Sequence, residues 1–111
     1  MEAKERAIRT YVTPQRTLPF EEWILRIKDK RSRARILQRI DRLMLGNFGD
    51  CHSVGGGVNE LRIHYGPGFR VYFGLESPNI VILLYGGDKN SQTKDIPIAQ
   101  AYWKEYKSEK K

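Results

Sequence analysis

The residue types best suited to chemistry lie in a stretch whose pattern predicts a β-hairpin. Apolar and polar residues alternate over residues 61–65 and again over residues 69–73, on either side of the turn Gly66-Pro67-Gly68. Because side chains on a strand alternate between the two faces of a sheet, the polar ones share one face. That face is expected to carry two guanidinium groups, an imidazole and a phenol, which belong to Arg62, Arg70, His64 and Tyr72.

The register of this hairpin decides which polar groups meet. A three-residue turn would pair Tyr65 with Phe69, and it would therefore place His64 opposite Arg70. Cross-strand partners of this kind lie about 5 Å apart at Cβ. The segment that follows the next strand is expected to add three charged side chains, those of Lys89, Lys94 and Asp95.

Together these side chains suit the cleavage of an RNA phosphodiester by the neighbouring 2′-OH. Arg62, Arg70 and Lys89 fit the phosphate, since cations stabilise the charge that develops on its oxygens and a guanidinium can contact it in a bidentate way. Proton transfer could fall to His64, Tyr72, Lys94 or Asp95, and the sequence does not assign the acid and the base among them. The same alternation is also typical of a sheet face that only contacts solvent, and Arg62 and Arg70 could instead pair with Glu60 and Glu76.

Neither a metal nor a cofactor is expected. The adjacent pair Cys51 and His52 has no second pair at ligand spacing, which argues against a zinc site. Three consecutive glycines at residues 55–57 are not followed by the Gly-Lys-Ser/Thr of a P-loop, so they indicate a flexible loop.

A second basic feature spans residues 26–42, where the pattern is helical. Its predicted RNA-binding residues are Lys28, Lys30, Arg31, Arg33, Arg35 and Arg39. Such a segment could track an rRNA backbone or receive an acidic partner. A solvated helix face is the alternative, although surfaces of that kind usually mix both signs of charge.

The elements that must position these residues follow the order β-α-α-β-β-β-α. Residues 7–13 predict a first strand, and a helix is expected to begin near Pro19. After a break over residues 29–32, a second helical pattern ends before Gly46, so the two helices could form a hairpin. We therefore expect an α+β fold, with a helical hairpin packed on a mainly antiparallel sheet.

The second half of the chain supplies the rest of that sheet. Residues 47–59 and 86–94 are interpreted as loops, and residues 80–85 as a central strand buried on both faces. A last helix is predicted to start near Asp95 and Pro97, with an apolar stripe that includes Trp103.

Length and composition are consistent with one domain covering residues 1–111. The net charge of +7 predicts attraction to polyanions. The single Cys51 excludes an intrachain disulfide, and the charged N-terminus does not resemble a signal peptide. No apolar run could span a bilayer, so a cytoplasmic protein without a membrane partner is expected.

Two motifs, at residues 58–73 and 84–96, resemble those of the RelE/ParE superfamily of toxins. Within it they are most similar to the branch termed addiction module killer proteins, near the HigB-type toxins, and the resemblance extends over nearly the whole chain. It implies the toxin of a type II toxin-antitoxin system, bound in a hetero-oligomeric complex by a cognate antitoxin. RelE-like members cleave mRNA in the ribosomal A site without metal, so the implied partners also include the ribosome and its mRNA.

The resemblance also implies roles for individual residues. Arg70 matches the arginine that begins the third strand of RelE-like members and contributes to phosphate binding there. Arg62 falls near the basic positions of their second strand. Lys89 falls where they carry an arginine after the fourth strand. RelE has a catalytic tyrosine near its C-terminal end, whereas this chain has Lys94 and Asp95. The alternatives are a non-enzymatic inhibitor of DNA gyrase of ParE type, and a basic module that binds nucleic acid or an antitoxin.

Overall fold

A five-stranded mixed sheet forms the centre of the computed structural model, which describes residues 5–109. The strands are β1 (Ala7–Thr10), β2 (Cys51–Gly55), β3 (Val58–Ile63), β4 (Phe69–Ser77) and β5 (Ile80–Asp88), and their spatial order is β1-β5-β4-β3-β2. The pairing of β1 with β5 is parallel, and the other three pairings are antiparallel. The helices described in these residues are α1 (Pro19–Arg26), α2 (Lys30–Met44) and α3 (Gln92–Glu109), with a 3-10 turn at Lys89–Ser91 before α3.

The sheet is covered on both faces. The α1–α2 hairpin packs on one face, over a core that includes Ile36, Leu43 and Leu61. The other face lies under α3, where a second core contains Ala99 and Trp103. This confirms the α+β class, and it places β5 between β1 and β4, buried on both faces as its continuous apolar run predicts.

Local signals explain where the helices begin and end. Pro19 is the first residue of α1, where its missing N–H is not needed. The Asp29 carboxylate caps α2 by accepting hydrogen bonds from the backbone N–H groups of Arg31 and Ser32, so the break between the helices falls before Lys30 rather than over residues 29–32. Gly46 has a φ of 93°, which fits its predicted role as a helix terminator.

Two loop predictions are wrong. Residues 47–59 contain β2, which pairs with β3 through a bulge and a tight turn of glycines with positive φ. Most side chains of this edge strand are exposed, so no apolar alternation marks it in the sequence. Residues 86–94 are regular rather than a loop, since β5 continues to Asp88 and α3 begins at Gln92, ahead of the predicted start.

Two indole rings lie directly on the sheet, one on each face. An ideal Cβ on Gly86 would approach the Trp23 ring of α1 to 2.1 Å, and one on Gly74 would approach the Trp103 ring of α3 to 2.5 Å. Only glycine leaves room for such contacts, so these two positions set how closely α1 and α3 pack on β5 and β4.

None of the helices within residues 5–109 combines the length and the apolar character needed to cross a lipid bilayer.

Candidate active site and basic groove

The β3–β4 hairpin brings the two predicted phosphate-binding arginines directly opposite each other. Arg62 pairs with Arg70, so the predicted register is wrong by two residues. The turn spans residues 64–68 instead of three residues, because Gly66 and Gly68 both adopt positive φ and the Gly68 N–H donates to the Tyr65 carbonyl at 3.0 Å. A displacement of two residues preserves the alternation, so Arg62, Arg70 and Tyr72 still share one face.

This face lies beneath α3 and not in open solvent. Glu60 and Tyr72 have no exposed surface, Asp95 is 4% exposed and Arg70 is 7% exposed. The polar groups gathered here form a sheet cluster, made up of Glu60, Arg62, Arg70 and Tyr72 from the strands and Gln92 and Asp95 from α3.

Glu60 organises one side of the sheet cluster. Its Oε1 accepts a hydrogen bond from Arg62 Nε at 2.8 Å, and its Oε2 accepts one from Gln92 Nε2 at 2.6 Å. The Glu60 carboxylate raises the pKa of Arg62. Arg62 is therefore held by a buried carboxylate, which corrects the prediction that it is free for a phosphate, although a third of its side chain stays exposed.

Arg70 is the residue of the sheet cluster whose charge is least compensated. Its Nε is buried and has no hydrogen-bond partner among residues 5–109. No carboxylate oxygen of the same described residues lies within 4.0 Å of its guanidinium. A buried cation without a counter-charge is unfavourable, because burial removes water without supplying a replacement. Such a group is suited to bind an anion that enters the site.

Two further members of the cluster have perturbed acidities. Burial raises the pKa of Asp95, whose Oδ2 accepts a hydrogen bond from the Ser91 hydroxyl. Asp95 sits against the backbone of Gly87, the strand residue opposite Arg70, and an ideal Cβ there would come within 1.8 Å of Asp95 Oδ2. Burial, with the nearby charge of Glu60, raises the pKa of Tyr72 far above its ordinary 10.0. Tyr72 therefore stays protonated and cannot act as a base.

The predicted lysines lie at the rim of the cluster. Lys89 is exposed beside the β3–β4 turn, where its backbone N–H donates to the Gly68 carbonyl at 2.8 Å. Lys94 is exposed in the first turn of α3, next to Asp95. Both therefore add positive charge to the surface near this end of the sheet.

His64 does not join the cluster, so its prediction as a neighbour of Arg70 is wrong. It belongs to the turn, where the backbone leaves the alternation of the strand, and its Nε2 hydrogen-bonds to Asp50 Oδ2. His52 Nε2 hydrogen-bonds to the other oxygen of the same carboxylate at 2.6 Å. These two bonds lower the pKa of Asp50, that from His64 having the larger effect.

On the α2 side of the sheet, His64 borders a cavity of about 200 Å³ that we call the basic groove. Its lining residues are Arg35, Gln38, Arg39, Arg42, Ile63, His64 and Tyr65. Arg39 is fixed in place, because Nη1 donates to the Arg62 carbonyl at 2.6 Å and Nη2 donates to the Phe48 carbonyl at 3.0 Å. The guanidinium of Arg35 lies 5.0 Å from the centre of the Tyr65 ring.

The six predicted RNA-binding residues therefore separate into three groups. Arg35 and Arg39 line the basic groove, and the prediction missed Arg42, which shares their helix face. Arg33 has a structural contact, since its Nη1 donates to the Ile27 carbonyl at 2.5 Å where α1 ends. The remaining residues, Lys28, Lys30 and Arg31, are exposed around the start of α2.

Glu60 was expected from the sequence only as a possible ion-pair partner of Arg62, a pair that the structure confirms, and Gln92 was not identified. Glu60 lies two residues before Arg62 on β3, so the alternation alone could have placed it on the shared face. Gln92 lies 32 residues away and carries no recognisable signal. No group of three His, Cys, Asp or Glu within residues 5–109 is arranged to hold a metal ion.

Comparison with known proteins identifies a bacterial relative. A protein of Haemophilus influenzae, described as an uncharacterized protein, is 50% identical over 84 residues, which cover 76% of this chain and 85% of the relative. No family model matches the chain, and no solved structure matches it. The identity and the coverage are sufficient to establish common descent, and the chain belongs to the same family as this Haemophilus influenzae protein.

Proposed function

We propose that the protein is an endoribonuclease toxin of the RelE/ParE superfamily, from a type II toxin-antitoxin system, and that it cleaves mRNA on the ribosome. The observation that carries this proposal is the buried guanidinium of Arg70, which has neither a carboxylate within 4.0 Å nor a partner for its Nε among residues 5–109. Lys89 and Lys94 add positive charge at the rim. A scissile phosphate would supply the missing counter-charge.

The reaction we assign is attack by the 2′-OH on the adjacent phosphorus. The bond from the 2′-oxygen to phosphorus forms, the bond from phosphorus to the 5′-oxygen breaks, and the products carry a 2′,3′-cyclic phosphate and a 5′-hydroxyl. Arg70 binds a non-bridging oxygen and stabilises the charge that develops on it. Removal of one such preorganised donor typically lowers the rate about 10²–10³-fold.

Two protons must move in this reaction, one from the 2′-OH and one to the 5′-oxygen. Tyr72 has no exposed surface from which to reach either oxygen, and His64 hydrogen-bonds to Asp50 outside the cluster. The acid–base work therefore falls in this proposal to Lys94 and Asp95, which are adjacent on α3. Glu60 is assigned a positioning role, since it orients Arg62 beside Arg70.

The fold is compatible with the proposed superfamily. A helical hairpin, α1 and α2, packs on a sheet in which β3, β4 and β5 are consecutive antiparallel strands, followed by the C-terminal α3. Apart from the additional edge strand β2, this is the element order that the resemblance implies. The net charge of +7 supports a polyanionic target.

A translating extract tests the proposal. Wild-type protein is expected to cut the message at codon boundaries, read by primer extension, whereas Arg70→Ala is expected to leave it intact. Lys104→Ala, an exposed change on α3, is the matched control and should cut like wild type. An intact message with wild-type protein would end the nuclease assignment.

A second candidate function has its own supporting observation. The helical hairpin exposes four large apolar side chains on or just after its helices, those of Leu25, Leu37, Met44 and Leu45. These exposed apolar side chains are available for contact with another macromolecule through the helical hairpin. A non-enzymatic inhibitor of DNA gyrase, of ParE type, would use such a surface and would not need Arg70. Inhibition of supercoiling by both wild type and Arg70→Ala would support this alternative.

A further inference from the structure

The basic groove concentrates positive charge that no carboxylate within residues 5–109 neutralises. Arg35, Arg39 and Arg42 are spaced so that one face of α2 carries all three, and His64 adds an imidazole from the hairpin turn. No carboxylate oxygen in the described part of the chain lies within 4.0 Å of these three guanidinium groups. The Asp50 carboxylate, beside the β3–β4 turn, is hydrogen-bonded to both histidines.

Part of this arrangement is built in advance of any ligand. The two carbonyl contacts of Arg39 hold its guanidinium without consuming its charge. Gly49, with a φ of 62°, leaves room for it, because a Cβ there would lie 2.5 Å from Arg39 Nη2. Arg35 is held over the Tyr65 ring. Preorganised guanidinium groups lose little freedom when they bind an anion.

The basic groove and the sheet cluster lie on opposite faces of the sheet. Ile63, which lines the groove, belongs to the core under α1 and α2, whereas Arg62 beside it points to the α3 side. The two sites meet only through β3, where Arg39 Nη1 donates to the Arg62 carbonyl. A phosphate bound at Arg70 therefore cannot also occupy the groove.

We propose that the basic groove binds a phosphodiester of the RNA other than the one that is cut at Arg70. This rests on the proposed function, which makes RNA the natural polyanion. The size of the cavity supports it, since about 200 Å³ is below the range typical of drug-sized ligands and suits a single phosphate with its ribose. The exposed apolar residues of the helical hairpin are not part of the lining, Ile63 is buried and the Tyr65 ring is covered by Arg35, so an acidic protein segment would find little apolar contact there.

Binding can be measured apart from cleavage with a fluorescein-labelled single-stranded RNA whose riboses are 2′-O-methylated, because it lacks the attacking hydroxyl. Affinity is followed by fluorescence anisotropy as a function of salt. The double variant Arg35→Ala/Arg42→Ala removes two groove cations, and Lys104→Ala/Lys107→Ala removes the same charge from exposed positions of α3. Circular dichroism verifies that each variant is folded.

We expect the groove variant to bind more weakly and to lose about 0.7 from the magnitude of the salt slope, since one phosphate contact contributes about 0.7 with single strands. The α3 control should keep the wild-type slope. Equal slopes for the groove variant and the control would overturn the proposal. Tighter binding of a glutamate-rich peptide than of RNA, with the same dependence on Arg35 and Arg42, would assign the groove to an acidic protein and also overturn it.

The outcome separates this inference from the proposed function. If wild type fails to cut a message in the translating extract while the groove variant loses RNA binding, the groove assignment stands and the nuclease assignment fails. Conversely, if wild type cleaves the message but the groove variant binds RNA like the α3 control, the groove assignment is refuted and the nuclease assignment stands.

Discussion

Replacing Arg70 by methionine should make the protein more stable while it removes the proposed function. Methionine keeps a long, flexible, apolar stem and fills most of the same space, but it has no charge and no N–H donor. Arg70 is 7% exposed and its buried Nε has no partner among residues 5–109. A buried donor left without a partner costs about 1–3 kcal/mol, and Arg70→Met removes that penalty.

The expected result is a gain of about 1–3 kcal/mol in the free energy of unfolding. Each kcal/mol should raise the melting temperature of a domain of this size by about 3–6 °C. Loss of one positive charge from a chain of net charge +7 acts in the same direction, because it reduces self-repulsion. Sites that bind ligands often carry such a stability penalty.

Arg62→Met provides the matched comparison, since it is the same substitution on the neighbouring strand. Arg62 donates to the fully buried Glu60, so its removal leaves Glu60 Oε1 without this partner. Breaking a buried pair is strongly destabilising, but Arg62 is 34% exposed and water can replace part of the contact, so we expect a loss of about 1–3 kcal/mol. The two substitutions should therefore change stability in opposite directions.

Urea unfolding at pH 7, followed by tryptophan fluorescence, measures both changes. If Arg70→Met destabilises the protein as much as Arg62→Met does, Arg70 is a structural residue and the argument for an anion site at this position is refuted.

Two other predictions concern the architecture around the site. Gly86→Ala should destabilise the fold by about 1–3 kcal/mol, because its Cβ would overlap the Trp23 ring, and the penalty should largely disappear in a Trp23→Leu background. Urea unfolding of the wild type, the two single variants and the double variant measures this penalty. An equal penalty in both backgrounds would contradict the packing argument. The pKa of Asp50 is lowered in the folded protein, so its ionised carboxylate stabilises the folded state at pH values above its ordinary pKa of 3.8. That contribution is lost as the pH falls through the folded-state pKa. Melting temperatures measured from pH 6 to pH 2 should therefore fall less steeply for Asp50→Asn than for wild type, and parallel curves would show that the two histidine contacts contribute nothing.

The shared sheet face of Arg62, Arg70 and Tyr72 could be predicted because it depends on alternation. A shift in register by an even number of residues leaves Arg62 and Arg70 on the same face. The error of two residues in the hairpin therefore did not change the predicted face of either arginine. The position of His64 was predicted wrongly because the alternation does not extend to it. It lies in the turn, where glycine backbones with positive φ end the alternation.

What the sequence could not supply is the long-range packing of polar groups. Alternating polar residues are typical of a solvated face, and only the docking of α3 buries Arg70 and Tyr72. The contact between Gln92 and Glu60 joins residues 32 apart, beyond any local pattern. The edge strand β2 was missed because its side chains are mostly exposed and its turn is made of glycines.

The rate of cleavage by Arg70→Met tests the central claim most directly. Ribosome-bound mRNA is mixed with saturating protein, and single-turnover cleavage is followed for wild type, Arg70→Met and the control Lys104→Ala. If Arg70 holds the scissile phosphate, its variant cleaves about 10²–10³-fold more slowly while the control keeps the wild-type rate. Cleavage by Arg70→Met at the wild-type rate would contradict the account.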